Sequence, residues 1–108
     1  MVYRVEWRVE AVEELKRFFS RKHQQAIVDK VQHFADNLPA SLSLKSVQPI
    51  RNASAIPGGG RAFEVDVAAG PRAAVVVVEE AERVVVYMVG PHDYANERFV
   101  SALEERMH

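Results

Sequence analysis

The sequence has no cysteine, so no disulfide staples the fold, no thiolate serves as a nucleophile, and any metal would fall to histidines and carboxylates. No apolar run exceeds six residues, as in Ala73 to Val78, far short of the roughly 20 that cross a bilayer as a helix. The N-terminus opens on an alternating pattern with neither a basic leader nor an apolar signal core, and the expectation is a cytoplasmic protein with no membrane association. An excess of either charge is also missing. Fourteen Lys and Arg face 15 Asp and Glu for a formal charge of -1, which excludes a surface that attracts nucleic acid everywhere. Any polyanion site must be local. With 108 residues, 48% of them hydrophobic, the chain has room for one domain, expected to span residues 1–108.

What is present is an ordered series of hydrophobic periods. Tyr3, Val5, Trp7 and Val9 alternate with Arg4, Glu6 and Arg8, the period-2 pattern of a strand with one buried face. Val12, Leu15, Phe18 and Phe19 then recur at helical spacing, behind glutamates that suit a helix N-terminus, and predict a helix over 9–20. A second helical pattern, Ile27, Val31, Phe34, Ala35 and Leu38, stops at Pro39, with a join expected near Arg21 to His23. Residues 40–60 gather serines, Pro49, Pro57 and three consecutive glycines, and read as a long loop with at most one short turn. Phe63, Val65 and Val67 alternate as a strand up to the Ala69-Gly70-Pro71 turn. Two β-branched runs, Ala73 to Val78 and Val84 to Val89, are apolar on both faces and belong in the middle of a sheet. Asp93 is placed to cap a last helix carrying Phe99, Val100, Leu103 and Met107. The expected fold class is α+β: an N-terminal strand, a helical hairpin, a three-stranded antiparallel meander and a short C-terminal helix in two layers.

Between Asp36 and Glu64 no acid occurs, while Lys45, Arg51 and Arg61 do, and Arg72 follows between Asp66 and Glu79. This basic strip would attract a phosphate backbone locally. Arg61 opens one strand of the hairpin and Arg72 the next, so the two are expected near one another, gripping a phosphate and stabilising charge in a transferring phosphoryl group. The plainer alternative is that both pair with Glu64, Asp66 or Glu80. After the last strand, Gly90-Pro91-His92-Asp93-Tyr94 sets an imidazole, a carboxylate and a phenol on one turn, and His92 titrates where a general acid or base works best. Other patterns carry less. Gly58-Gly59-Gly60-Arg61 lacks the Lys-Ser/Thr ending of a phosphate loop, and His23 and His33 fit no metal spacing.

The order of these elements, with Tyr3-Arg4-Val5-Glu6-Trp7, Leu44-Lys45-Ser46-Val47, Arg61-Ala62-Phe63-Glu64-Val65, Pro71-Arg72-Ala73-Ala74 and Val84 to Asp93, resembles the RelE/ParE superfamily of toxins from bacterial toxin–antitoxin modules. The resemblance runs from about Tyr3 to Phe99. In its RelE-like branch it implies a ribosome-dependent endoribonuclease that cuts mRNA without metal or other cofactor and is neutralised by a cognate antitoxin. The ribose 2′-hydroxyl is the nucleophile, so the protein supplies only cations and proton carriers. By that resemblance Arg72 contacts the scissile phosphate and Arg61 supports it, Lys45 and Arg51 belong to an RNA-binding loop, and His92 holds the position after the last strand. The C-terminal tyrosine position of the family falls at Asn96, which leaves Tyr94 as the phenol in its place. Two other readings stay open: a ParE-like inhibitor of DNA gyrase, and a non-catalytic accessory domain of a larger DNA-processing protein such as a helicase.

Overall fold

A computed structural model describes residues 3–50, 60–67, 70–90 and 105–106. Strand β1 (Arg4–Trp7) leads into helix α1 (Val9–Phe18), which is followed by helix α2 (Arg21–Asp36) and a 3-10 turn (Ala40–Ser43). Strands β2 (Val47–Pro49), β3 (Arg61–Asp66), β4 (Arg72–Val78) and β5 (Arg83–Gly90) complete the described chain, with Glu105 and Arg106 helical beyond them. The sheet has five strands in the order β1-β5-β4-β3-β2. The four strands from β2 onward are antiparallel neighbours, and β1 pairs with β5 in parallel. That parallel pair requires a crossover, and the helical hairpin is part of it.

The two valine runs lie side by side inside the sheet because they are apolar on both faces, and each face meets a separate cluster. On one face Val65, Val75, Val77, Val84, Val86 and Val89 pack with Ala11 and Leu15 of α1 and Ile27, Val31, Phe34 and Ala35 of α2. On the other, Ala62, Ala74, Val76, Val78 and Met88 form a smaller cluster with Ile50 and Tyr87 at its margin. The expected two-layer α+β arrangement, with helices over the valine strands, is therefore present on the first face.

Three boundaries differ from expectation, each for a local reason. The helices join at Phe19–Ser20 rather than near Arg21 to His23, because Ser20 caps α2 by accepting a hydrogen bond from the His23 N–H. The stretch 40–60 is not all loop: β2 adds to the edge of the sheet with Val47 opposite Val65 and Pro49 opposite Phe63. Its three residues are too few to show a period, and proline is tolerated there because the strand is an edge. In β5, Ala74 pairs with Met88 but Val75 with Val86, so Tyr87 is an extra residue that bulges the strand. The predicted C-terminal helix is helical at Glu105 and Arg106, and the rest of it lies outside the described residues.

Charge at the helix ends is uneven. Helix α1 carries Glu10 in its first turn and Lys16 and Arg17 in its last, both as the helix dipole favours. Helix α2 opens with Arg21 and Lys22 and has no acid in its first turn, an arrangement that costs about 0.3–1 kcal/mol per cation at a helix N-terminus.

Candidate functional site around Arg72

The β3–β4 hairpin decides where the two predicted phosphate-binding arginines sit. Its register pairs Arg61 with Val77 and Asp66 with Arg72, so the two arginines occupy opposite ends, five residues or about 17 Å apart along the strands. They also lie on opposite faces. Arg61 shares the helix-covered face with Phe63, its guanidinium 5.6 Å from that ring centroid, while Arg72 lies on the side of Glu64 and Ala74. The expected joint grip on one phosphate is therefore corrected: an antiparallel hairpin brings the start of one strand to the end of the next, not to its start.

Each arginine has a carboxylate partner. Arg61 is exposed and pairs with Glu79, rather than the expected Glu80, at 2.5 Å. Arg72 is held by two acids, its Nη1 donating to Glu64 Oε1 at 2.6 Å and its Nε lying 3.4 Å from Asp66 Oδ1. This second cluster is shielded, with side-chain exposures of 21% for Arg72 and 14% for Glu64, so its charges are screened less than those of a surface ion pair and cost more to desolvate. Burial pushes the Glu64 carboxyl above its ordinary value; Arg72 pulls it back, and neighbouring Asp66 pushes it up again. Two carboxylates around one guanidinium leave the group with a formal charge of -1.

Arg72 is nonetheless well positioned along the chain. It pairs with Gly90, the last residue of β5, and His92 follows Gly90 by two residues. Lys45 is exposed between the 3-10 turn and β2, near the end of β3 that carries Asp66, since the Asp66 N–H donates to the Ser46 carbonyl at 2.7 Å. Arg51, His92, Tyr94 and Asn96 lie outside the described residues. Among the described residues no cluster of three or more His, Asp or Glu could hold a metal, and no helix is long and apolar enough to cross a membrane.

A second polar cluster had no sequence signal. Glu14, buried on α1, accepts from the Val89 N–H at 3.2 Å and from Arg106 through both oxygens, at 2.8 and 3.3 Å. Arg106 also donates to the Tyr87 carbonyl at 3.1 Å. Strand β1 stops pairing at Val86, so these side chains take up backbone groups of β5 beyond the end of its neighbour.

A mixed five-stranded sheet with a helical hairpin against one face defines the class of fold. Comparison with solved structures narrows it to the fold of the RelE toxins. The RelE–RelB complex of the archaeon Pyrococcus horikoshii matches with a TM-score of 0.67 at 14% identity, over 88% of this chain and 100% of that one. A mutant of the E. coli toxin RelE in the free state gives 0.65 at 16% identity, over 97% and 98% of the two chains. The RelBE2 toxin–antitoxin complex of Mycobacterium tuberculosis gives 0.59 at 20% identity, over 84% and 99%. No protein-family model and no curated protein sequence matches the chain.

Proposed function

We propose that this protein is a RelE-like toxin, held by a cognate antitoxin and acting when released as a metal-independent endoribonuclease on ribosome-bound mRNA. The fold supports the toxin reading, since the neighbours align over nearly their whole length and several were solved as complexes with an antitoxin. The observation that carries the nuclease reading is the register of Arg72 with Gly90, which sets a shielded guanidinium beside the strand end that leads to His92. In the proposed reaction the ribose 2′-hydroxyl gives its proton to solvent water as it attacks the adjacent phosphorus, and Arg72 neutralises the phosphorane. The bond to the 5′-oxygen breaks as His92 gives that oxygen a proton, leaving a 2′,3′-cyclic phosphate. Tyr94, two residues after His92 in sequence, is the phenol available, and Lys45 and Arg51 supply attraction for the RNA backbone. Arg61 acts elsewhere, because it lies at the far end of the hairpin.

A second reading is favoured by one observation: Glu64 and Asp66 already occupy the Arg72 guanidinium, as in a RelE-like domain that has no phosphate to bind. Expression in bacteria separates the two. The toxin reading expects growth arrest with mRNA cut within codons at the ribosome, and loss of at least a hundredfold in cleavage for Arg72→Ala with folding intact. Arrest without mRNA cleavage but with inhibited supercoiling would point instead to gyrase. Absence of arrest, cleavage and antitoxin binding would overturn the toxin assignment in favour of an accessory domain.

A further inference from the structure

The densest run of positive charge along the sequence falls not on the sheet but at the tip of the helical hairpin. Lys16, Arg17, Arg21 and Lys22 fall within seven residues, and no acid occurs between Glu14 and Asp29. All four are exposed, as is His23 beside them. Among the described residues Lys16, Arg21 and Lys22 form no ion pair or side-chain hydrogen bond. The nearby carboxylates do not neutralise them: Glu13 makes no ion pair among the described residues, and Asp29 is engaged by Gln25 at 2.8 Å.

Two further features set this patch apart from an ordinary solvated surface. Arg21 and Lys22 stand where the helix dipole opposes them, a placement that intrahelical stability does not explain. Phe18 is 49% exposed among the cations, with the Arg17 guanidinium 6.0 Å from its ring centroid. An acidic protein surface would need only the charges. Cations interleaved with an open aromatic face fit a single-stranded nucleic acid, whose phosphates meet the cations and whose bases stack on the ring and the guanidinium.

We propose that the α1–α2 tip, through Lys16, Arg17, Phe18, Arg21 and Lys22, is a docking surface for single-stranded RNA, separate from the Arg72 cluster. Its place in the fold suits that role. Helix α1 starts where the Arg8 N–H meets the Val86 carbonyl and reaches Val89 at Glu14, so its last turn advances toward the Gly90 end of β5, where Arg72 sits. RNA as the partner rather than DNA rests on the proposed function; the binding itself does not.

The test is fluorescence anisotropy of the full chain with a labelled 12-nucleotide oligouridylate and the matching oligodeoxythymidylate. Four phosphate contacts give a salt slope of about -3, so affinity should fall about 50-fold between about 50 and 200 mM salt. The double variant Arg21→Glu with Lys22→Glu should bind at least about tenfold more weakly and melt no lower than wild type, because acids at that helix end suit the dipole. Phe18→Ala, at a side chain outside both buried clusters, should weaken binding at least about fivefold. Gln32→Ala, an exposed change near the far end of α2, should leave the affinity unchanged, and mRNA cleavage assayed on the same variants keeps loss of toxicity and loss of docking distinguishable. Affinity unchanged in the charge variant, or no effect of Phe18→Ala together with displacement by polyglutamate at matched charge, would overturn the proposal. Tighter binding of the DNA strand than of the RNA would overturn RNA as the partner.

Discussion

Glu14 should be a costlier residue to lose than its partner Arg106, although the two share one ion pair. Glu14→Ala removes the acceptor of the Val89 N–H, a donor that no neighbouring strand can satisfy past the last β1–β5 pair, and it takes the carboxylate from the Arg106 guanidinium, which keeps the Tyr87 carbonyl. An unsatisfied buried donor costs about 1–3 kcal/mol, and a mostly buried guanidinium deprived of its carboxylate adds to that, less what its remaining partners and water recover at a side chain 23% exposed. The expected loss is about 2–4 kcal/mol, or on the order of 10–20 °C in Tm for a domain of this size. Arg106→Ala keeps the Val89 bond and lets water reach Glu14, so its cost is expected at about 1–2 kcal/mol. Denaturant unfolding of the two single variants and the double variant closes the cycle, with a coupling of at least about 1 kcal/mol. If Arg106→Ala costs as much as Glu14→Ala, or the two add without coupling, the carboxylate is not the hub of this cluster and the reasoning fails.

Two further outcomes follow from the hairpin. The folded protein binds the Glu64 proton more tightly than the unfolded chain does, so this contribution to stability is whole below the ordinary value of 4.5 and is lost as pH rises through the raised one. A Tm-against-pH profile should therefore fall over that window in wild type relative to Glu64→Gln, and parallel profiles would contradict the burial argument. At Gly60, an added Cβ would sit 2.7 Å from Val76 Cγ1 and 3.1 Å from the Val77 carbonyl oxygen, one a stiff β-branched side chain in a buried cluster and the other backbone. Gly60→Ala should cost about 1–3 kcal/mol in chemical denaturation, and a neutral result would mean that the hairpin end yields freely.

The elements that could be read from sequence are those with many residues in phase. The two valine runs announce interior strands because a segment apolar on both faces has nowhere else to go, and Ile27, Val31 and Phe34 announce the buried side of α2 through their spacing. Strand β2 was invisible because three residues show no period and its place depends on pairing with β3, a contact remote in sequence. The Tyr87 bulge was invisible too, since one extra residue in a run of valine, tyrosine and methionine leaves the composition unchanged. For the site, the sequence offers Glu64 and Asp66 among the acids able to pair with Arg72, while the expectation of Arg61 beside Arg72 fails. Parity along a strand assigns a residue its face, but its cross-strand neighbour follows from the register, which only the turn and the packing fix. The Glu14–Arg106 pair joins residues 92 apart, a distance over which no local pattern operates.

Balanced net charge conceals a division of the molecule into regions of different sign. Lys16 to Lys22 contribute four positive charges and no negative ones, so the rest of the chain carries a formal charge of -5, part of it in the Glu64–Asp66–Arg72 cluster. A polyanion approaching such a surface is attracted at the hairpin tip and meets a locally negative cluster on the sheet. The requirements of docking and of chemistry are then separable. Long-range attraction can come from cations that never touch the reacting phosphate, while Arg72 becomes available only if a phosphate replaces Glu64 as its partner. A raised carboxyl pKa eases that exchange, because Glu64 can leave the guanidinium as a neutral acid more readily than an ordinary glutamate. If RNA cleavage occurs at this site, it should be favoured where Glu64 is protonated, and Glu64→Gln should cleave at least as fast as wild type at neutral pH. Slower cleavage by that variant would instead make the carboxylate a participant in the reaction.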